Sequence, residues 1–526
     1  MKRTALTAAA FGISLAAALP ATLPAAASTA IDLVPQAVAA PDAALATSAS
    51  PLACTFPNDT IGYRYYHCNT PADIRAAYNV DTVGNASTGT GLLGQGQTIV
   101  LVDSYGSPTA AHDLQFFHDT FFASLPKPDF EQVYPLGKLD YSNANANSSG
   151  LSGPNAAAGW SGEATLDIEW AYSIAPLAHI VLLAVPPAET LGVQGLPNMF
   201  KAISQAVDTY PAGTTFSMSF GVTEQTFGGA AAVQTAKFDR VMAKGNAKGD
   251  SFFSSSGDNG TTGYAKQRKE SATYPYATVG WPTSSPNVTS VGGTQLQYGW
   301  TWDPTSDVSF TSAGANPAYF HSTPGGLTET VWNESWLPAA TGGGPSAIYA
   351  RPSWQASVAS KIVNTDGQQV NARALPDLSW DAAVNGGVLV YITAFPTYQR
   401  AGWHVYGGTS ASSPQVAALT ALANQSRAEA GKGPIGNVAP LLYTHSAAFA
   451  TNGAFRDITP TTQGTASVGV LDNNRLWDWN GYNLADTPGP IAGHPTTTGW
   501  DETTGFGSPL APGYITTLTT LSPYQP

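Results

Sequence analysis

Gly407-Gly408-Thr409-Ser410-Ala411-Ser412-Ser413-Pro414 is the stretch on which the reading of this chain turns. Its glycines permit a tight turn and a close approach of another backbone. An apolar helical pattern, Pro414–Glu429, follows at once, and Pro414 suits the first turn of a helix. Ser410 is thereby expected at a helix N-terminus, where N–H groups and the helix dipole favour developing negative charge. A nucleophilic hydroxyl is well served there. The same residues also make a capping turn, with Ser410, Ser412 or Ser413 as the cap. Read alone, the stretch serves either purpose.

Working outward, short apolar and β-branched runs mark buried strands at Thr98–Val102, His179–Val185, Thr214–Ser219, Ser251–Ser255 and Val388–Ile392. Helical patterns fall between and after them, at Glu163–Ile174, Pro197–Thr209, Ala231–Lys244 and Pro414–Glu429. Strands alternating with helices predict an α/β fold, with a mainly parallel central sheet flanked by helices. In such sheets reactive groups gather beyond the carboxyl ends of the strands. The short low-complexity run Asn143–Ala158 reads as a loop within the domain.

The chain has 526 residues, ample for one large core. Only 11% of its residues are charged, against about 25% in an average soluble domain. A net charge of -13 argues against nucleic acid or an anionic membrane as partner through a basic patch. Residues 1–27 read as a secretory signal: Lys2 and Arg3, an apolar Ala/Leu run, then Ala25-Ala26-Ala27. Export is therefore expected, as a secreted, extracellular protein. Residues 28–53, rich in Ala, Pro and Ser, read as a disordered tail or short pro-segment, and 54–526 as a single domain. No later apolar stretch is long enough to span a bilayer, and a monomer is expected. Cys54 and Cys68 are the only cysteines, and outside the cell a disulfide between them is the simplest expectation.

A second stretch, Gly162-Glu163-Ala164-Thr165-Leu166-Asp167-Ile168-Glu169-Trp170, carries titratable groups. Glu163 and Asp167 stand four apart and share one helix face. No Lys or Arg lies between Lys138 and Lys201 to offset them. Two such neighbours do not both ionise easily, so one tends to hold a proton. An exposed acidic face is the ordinary alternative. Leu166, Trp170 and Ile174 favour a packed helix, and the pattern favours chemistry. A third stretch, Phe252-Phe253-Ser254-Ser255-Ser256-Gly257-Asp258-Asn259-Gly260, is a strand running into a glycine-flanked aspartate; by itself it reads as a turn.

Gly408-Thr409-Ser410-x-Ser412-x-Pro414 resembles the nucleophile motif shared by subtilisins and sedolisins. Subtilisins add a histidine from an H-G-T-H-type motif. None of the eight histidines here has that setting, and His112, the one following Asp103 most closely, lacks the glycines. Asp103, in Val102-Asp103-Ser104, is expected to be structural. The Glu163–Trp170 segment, with Ile174-Ala175-Pro176-Leu177-Ala178 after it, is similar to the sedolisin helix. The resemblance implies a subtilisin-like fold, Glu163 as general base to Ser410 and Asp167 as its orienting partner. It also implies Asp258 as donor to the oxyanion, although Asn259 replaces the family's usual serine. A carboxylate would repel an oxyanion, so Asp258 must be protonated to help. Acid activity follows, on the order of pH 3–5 from ordinary carboxyl values.

Phe455-Arg456-Asp457-Ile458-Thr459 and Thr497-Thr498-Gly499-Trp500-Asp501 resemble the sedolisin calcium loop. The resemblance implies Ca²⁺ held by side chains of Asp457 and Asp501 and carbonyls of Ile458, Thr497 and Gly499. Thr497 stands where the family usually has glycine. The family is usually made with a long pro-domain that assists folding and blocks the site, and residues 28–53 are too short for one. The function implied is a serine-type endopeptidase acting on polypeptides through an acyl-enzyme. Two alternatives remain: a tripeptidyl-peptidase, and a non-catalytic binding protein on the same scaffold.

Overall fold

The structure is a computed structural model. It describes residues 34–35, 38–39, 68–139, 141, 154–185, 192–266, 272–302, 320–334, 339–384, 386–396, 401–460, 472–480 and 483–525. Two short strands come first, β1 (Val34–Pro35) and β2 (Val38–Ala39). The central sheet is built from β3 (Thr98–Ser104), β4 (Asp129–Val133), β5 (His179–Val185), β6 (Thr215–Met218), β8 (Ser251–Ser255), β9 (Thr289–Trp302), β10 (Phe320–Val331) and β11 (Leu378–Asp381). A separate strand, β7 (Phe220–Thr223), follows β6 after Ser219. The sheet order is β10-β9-β8-β6-β3-β5-β4, with β11 beside β9. Every pairing is parallel except β9 with β10. The expected subtilisin-like α/β architecture is present.

Parallel strands covered on both faces must be apolar throughout. Ile99, Val100, Leu101 and Val102 in β3 and Ile180 to Leu183 in β5 are all buried. Helices α1 (Ala110–Phe121), α2 (Pro154–Ile174), α3 (Leu196–Thr209), α4 (Ala231–Lys248) and α5 (Thr409–Glu429) flank the sheet. A hairpin of β12 (Gly387–Ile392) and β13 (Gly402–Gly407) lies apart from it and feeds the chain into α5.

Two helices begin earlier than the sequence predicts. α2 starts at Pro154, so Pro154–Ala158, expected in a loop, are helical. α5 starts at Thr409, five residues before Pro414. Pro414 is therefore inside the helix rather than in its first turn, and lacks the N–H that the carbonyl four residues back would otherwise receive. The helix survives because it is buried from Thr409 to Gln425. Neighbours also hold it: Ser412 Oγ donates to Trp380 O at 3.0 Å, and Trp380 Nε1 donates to Gln415 Oε1 at 3.1 Å. Tertiary packing outweighs local propensity here.

The entry to α5 is tight. Gly408, its cap, has φ +91°, a conformation that favours glycine. At Gly407 a Cβ would stand 2.5 Å from Ala382 O and 2.7 Å from Ala383 C. Gly407→Ala is accordingly expected to destabilise the fold by about 1–3 kcal/mol, the usual cost of overpacking. Urea unfolding measures this, and an unchanged midpoint would show that the turn tolerates the extra atom.

Candidate active site

The carboxyl edge of the parallel sheet brings three strand ends together. Asp103 lies near the end of β3, Ser219 just after β6, and Asp258 three residues after β8. Helix α2 crosses behind β3 with Glu163 and Asp167, and α5 begins beside them with Ser410 at its second residue. The four residues expected to carry the chemistry, Glu163, Asp167, Asp258 and Ser410, are all buried. The exposed acidic face is thus excluded for α2.

Carboxylate oxygens of Asp103, Glu163 and Asp167 all lie within 4.8 Å of one another, and each of the three residues is fully buried. Ser219 Oγ donates to Asp167 Oδ1 at 3.0 Å, while Asp167 Oδ2 and both oxygens of Asp103 lack a hydrogen-bond partner. Burial first, then the neighbouring Asp103 and Glu163, push the Asp167 carboxyl well above its ordinary range, against the hydrogen bond from Ser219. Burial alone pushes Asp103 up to about 8. Protonated acids therefore sit in this cluster at neutral pH.

Asp103 corrects the sequence reading. It is expected to be structural at a strand end, and its backbone does pair in the sheet, yet its carboxylate oxygens bond to nothing that would hold the strand and lie against the carboxylate pair. Its position straight after four apolar strand residues was the available signal. A buried carboxylate is costly to keep unless it has a partner or a proton.

Two features join the cluster to Ser410. Tyr406, in β13 four residues before the serine, is pushed up by burial and then by the Glu163 charge, so it lies close to that carboxyl. A Cβ on Gly162 would stand 2.6 Å from Tyr406 Oη. Ser217 Oγ in β6 meets Ser413 Oγ of α5 at 2.8 Å, which pins the helix start to the sheet. Ser410 Oγ itself has no hydrogen-bond partner. The direct bond that a general base needs is thus not made here; catalytic bonds often tighten only when substrate is bound.

Asp258 adjoins the start of α5 through the residue before Ser410. Its Oδ1 accepts from Thr409 N and Thr409 Oγ1, both at 2.8 Å. Those bonds favour the carboxylate, but burial outweighs them and pushes Asp258 up to about 7. Beside it opens a cleft of about 560 Å³, counted with its solvent mouth, whose walls include Gly221, Ser255, Gly257, Asp258, Gly280 and Gly342.

The proposed calcium ligands lie far along the chain from these groups. Thr497 to Gly499 and Asp457 are exposed, while Ile458 and Asp501 are buried. Gly499 N donates to Asp457 Oδ2 at 2.8 Å and Thr497 N to Asp501 Oδ2 at 2.8 Å, so both carboxylates are held against one loop. Lys361 Nζ donates to Thr498 O and Trp500 O, both at 2.7 Å. These are the alternate carbonyls to the Thr497 and Gly499 pair expected to face a cation. Two carboxylates and backbone carbonyls on a fixed loop fit a hard ion. The expected Cys54–Cys68 pair involves Cys54, which lies outside the described residues. Among the described residues no helix is long and apolar enough to cross a membrane.

The buried acids make stability depend on pH. Asp103 and Asp258 bind protons more tightly folded, at about 8 and about 7, than unfolded, at 3.8. Their contribution is complete below the unfolded value and is lost as pH rises through the folded ones. The urea midpoint is expected to fall as pH rises from 3.8 through about 8, and Asp103→Asn should fall less steeply. A variant as steep as the wild type would mean that Asp103 holds no proton.

Comparison with known proteins agrees with this geometry. The subtilase family model matches residues 189–448, which include Asp258 and Ser410 but stop short of Glu163 and Asp167. Kumamolisin of Bacillus sp. (strain MN-32) is 28% identical over 84% of this chain and 62% of its own length. Tripeptidyl-peptidase sed1 of Aspergillus fumigatus is 26% identical over 85% of this chain and 64% of its own. The chain thus spans less than two thirds of the length of these curated relatives. The structure of Pseudomonas sedolisin, a serine-carboxyl proteinase complexed with two molecules of pseudo-iodotyrostatin, superposes with a TM-score of 0.56 at 24% identity, covering 86% of this chain and 97% of that one. The chain is similar to the sedolisins over most of its length and carries a subtilisin-like fold.

Proposed function

We propose that this chain is a secreted, acid-active peptidase that hydrolyses polypeptides through an acyl-enzyme on Ser410. The observation that carries the reading is the buried cluster of Asp103, Glu163 and Asp167 beside a serine at a helix N-terminus, with Asp258 bonded to the residue before that serine. In this scheme Glu163 takes the proton from Ser410 Oγ as the hydroxyl attacks the scissile carbonyl. Asp167, held by Ser219, orients Glu163 and shares that proton. Asp258 Oδ1 is engaged by Thr409, so the proton it offers to the oxyanion rides on Oδ2. That donor exists only while Asp258 is protonated, below about 7. The collapse of the tetrahedral species returns a proton from Glu163 to the leaving nitrogen, and water then hydrolyses the ester.

Digestion of casein at about pH 4, near ordinary carboxyl values, tests the reading. Wild type is expected to digest it and Ser410→Ala to leave it intact; digestion by both or by neither contradicts the proposal. Asp258→Ala should lower kcat by about 100- to 1,000-fold, the usual loss for one oxyanion donor. Product masses separate the two peptidase types. Cuts inside long peptides identify an endopeptidase, and successive three-residue losses a tripeptidyl-peptidase, the activity for which one relative is named.

Bound Ca²⁺ would be held by Asp457, Asp501 and the carbonyls of Ile458, Thr497 and Gly499, and would tie two distant parts of the chain together. Prolonged chelation is expected to lower the melting temperature, with readdition of Ca²⁺ restoring it. An unchanged melting curve would remove the ion from the account.

A further inference from the structure

One buried hydroxyl at the site has no task in the reaction described above. Tyr406 is only 7% exposed, yet among the described residues nothing donates to its Oη or accepts from it. A buried tyrosine O–H usually finds a partner, because leaving that bond unmade is costly. The ring ends against helix α2. A Cβ on Gly162 would stand 2.6 Å from Tyr406 Oη, 3.3 Å from Cζ and 3.6 Å from Cε1. Gly162 directly precedes Glu163 in that helix. The hydroxyl thus occupies a place that exists because residue 162 has no side chain.

Other contacts fix this placement independently. The backbone of Tyr406 pairs with Val388 on one side and with Ala39 on the other. The same hairpin is bonded to α2 further along the helix. Trp170 Nε1 donates to Leu389 O at 2.8 Å, and Tyr391 N donates to Glu169 Oε2 at 3.0 Å. Tyr406 therefore belongs to a docked face. Only Gly407, Gly408 and Thr409 separate it from Ser410, and Gly408 N donates to Ala382 O at 2.6 Å. A bond from Tyr406 to Glu163 would tie the base to the stretch of chain that carries the nucleophile.

Three titratable groups face Glu163: Asp103 from β3, Asp167 from α2 and Tyr406 from β13. His404, on the same strand as Tyr406, has its ring centre 6.2 Å from the tyrosine's. Asp103 offers a proton only below about 8. Burial and then the Glu163 charge favour the neutral phenol, so Tyr406 is a donor throughout the acid range.

We propose that Tyr406 is a positioning residue for the general base: its Oη donates to the ionised Glu163 carboxylate and holds it toward Ser410 Oγ. This rests on the peptidase reading above. The bond is not made in the structure; bonds of this kind tighten as the site is charged and occupied. By favouring the charged form, it also lets Glu163 serve as a base at lower pH.

The test has two arms. In the first, digestion at subsaturating casein is followed from about pH 2 to about pH 7. Tyr406→Phe keeps the ring and loses a bond to a charged group, so the acid limb is expected to move up by about one unit. Digestion well below that limb then falls about tenfold. The alkaline limb, set by Asp258 at about 7, should stay in place. Gly162→Ala, whose methyl displaces the hydroxyl, should move the acid limb likewise. The two substitutions together should move it no further than either alone, since both remove one contact. A profile lowered at every pH with its limbs in place overturns the proposal, and so do additive shifts.

The second arm needs no turnover. In Ser410→Ala, infrared titration follows the carboxyl band that Glu163→Gln removes. Adding Tyr406→Phe should raise the midpoint of that band by about one unit. An unmoved midpoint overturns the proposal even where wild type digests casein, and the peptidase reading then stands. A raised midpoint in a chain whose wild type digests no casein overturns the peptidase reading and supports the bond alone.

Discussion

A carboxylate taken out of water without a cation either finds hydrogen-bond donors or keeps a proton. Asp103 has no donors, Asp167 has Ser219, and Asp258 has Thr409, and in all three burial prevails. The packing that closes the parallel sheet against α2 and α5 is therefore also what loads these acids with protons. Fold and chemistry share one cause. The surface around the core is poor in charge, so few ion pairs compete with the cluster for the field.

The topology explains why the groups meet. Parallel strands deliver their carboxyl ends to one edge, and Asp103, Ser219 and Asp258 arrive there from three of them. Helix α5 enters that edge through Gly407 and Gly408, one too crowded for a side chain and one in a conformation that favours glycine. Both glycines decide where Ser410 Oγ stands. Strands β7 and β13, paired with β1 and β2, flank that corner.

Much of this could be read from the residues. The strand at His179–Val185 and the alternation of strands with helices followed from short β-branched runs and apolar periodicity. The carboxylate pair on α2 was visible as a four-residue spacing without nearby cations. Other features needed three dimensions. Pro414 misplaced the start of α5, because burial along the whole helix overrides a local breaker. The place of Asp103 in the cluster is not legible locally, since nothing in Val102-Asp103-Ser104 says that α2 will cross behind it. The pairing of Val34–Pro35 and Val38–Ala39 with strands nearly two and four hundred residues away has no local signature at all.

Infrared difference titration of the carboxyl groups tests the central claim most directly, because the neutral acid and the carboxylate absorb apart. Neutral-acid absorbance is expected to persist past the ordinary carboxyl range, and the shares that Asp258→Asn and Asp103→Asn remove are expected to be lost only as pH passes about 7 and about 8. Complete ionisation near pH 4, where exposed carboxyls titrate, would show that the buried acids hold no protons, and the proposed chemistry would have no basis.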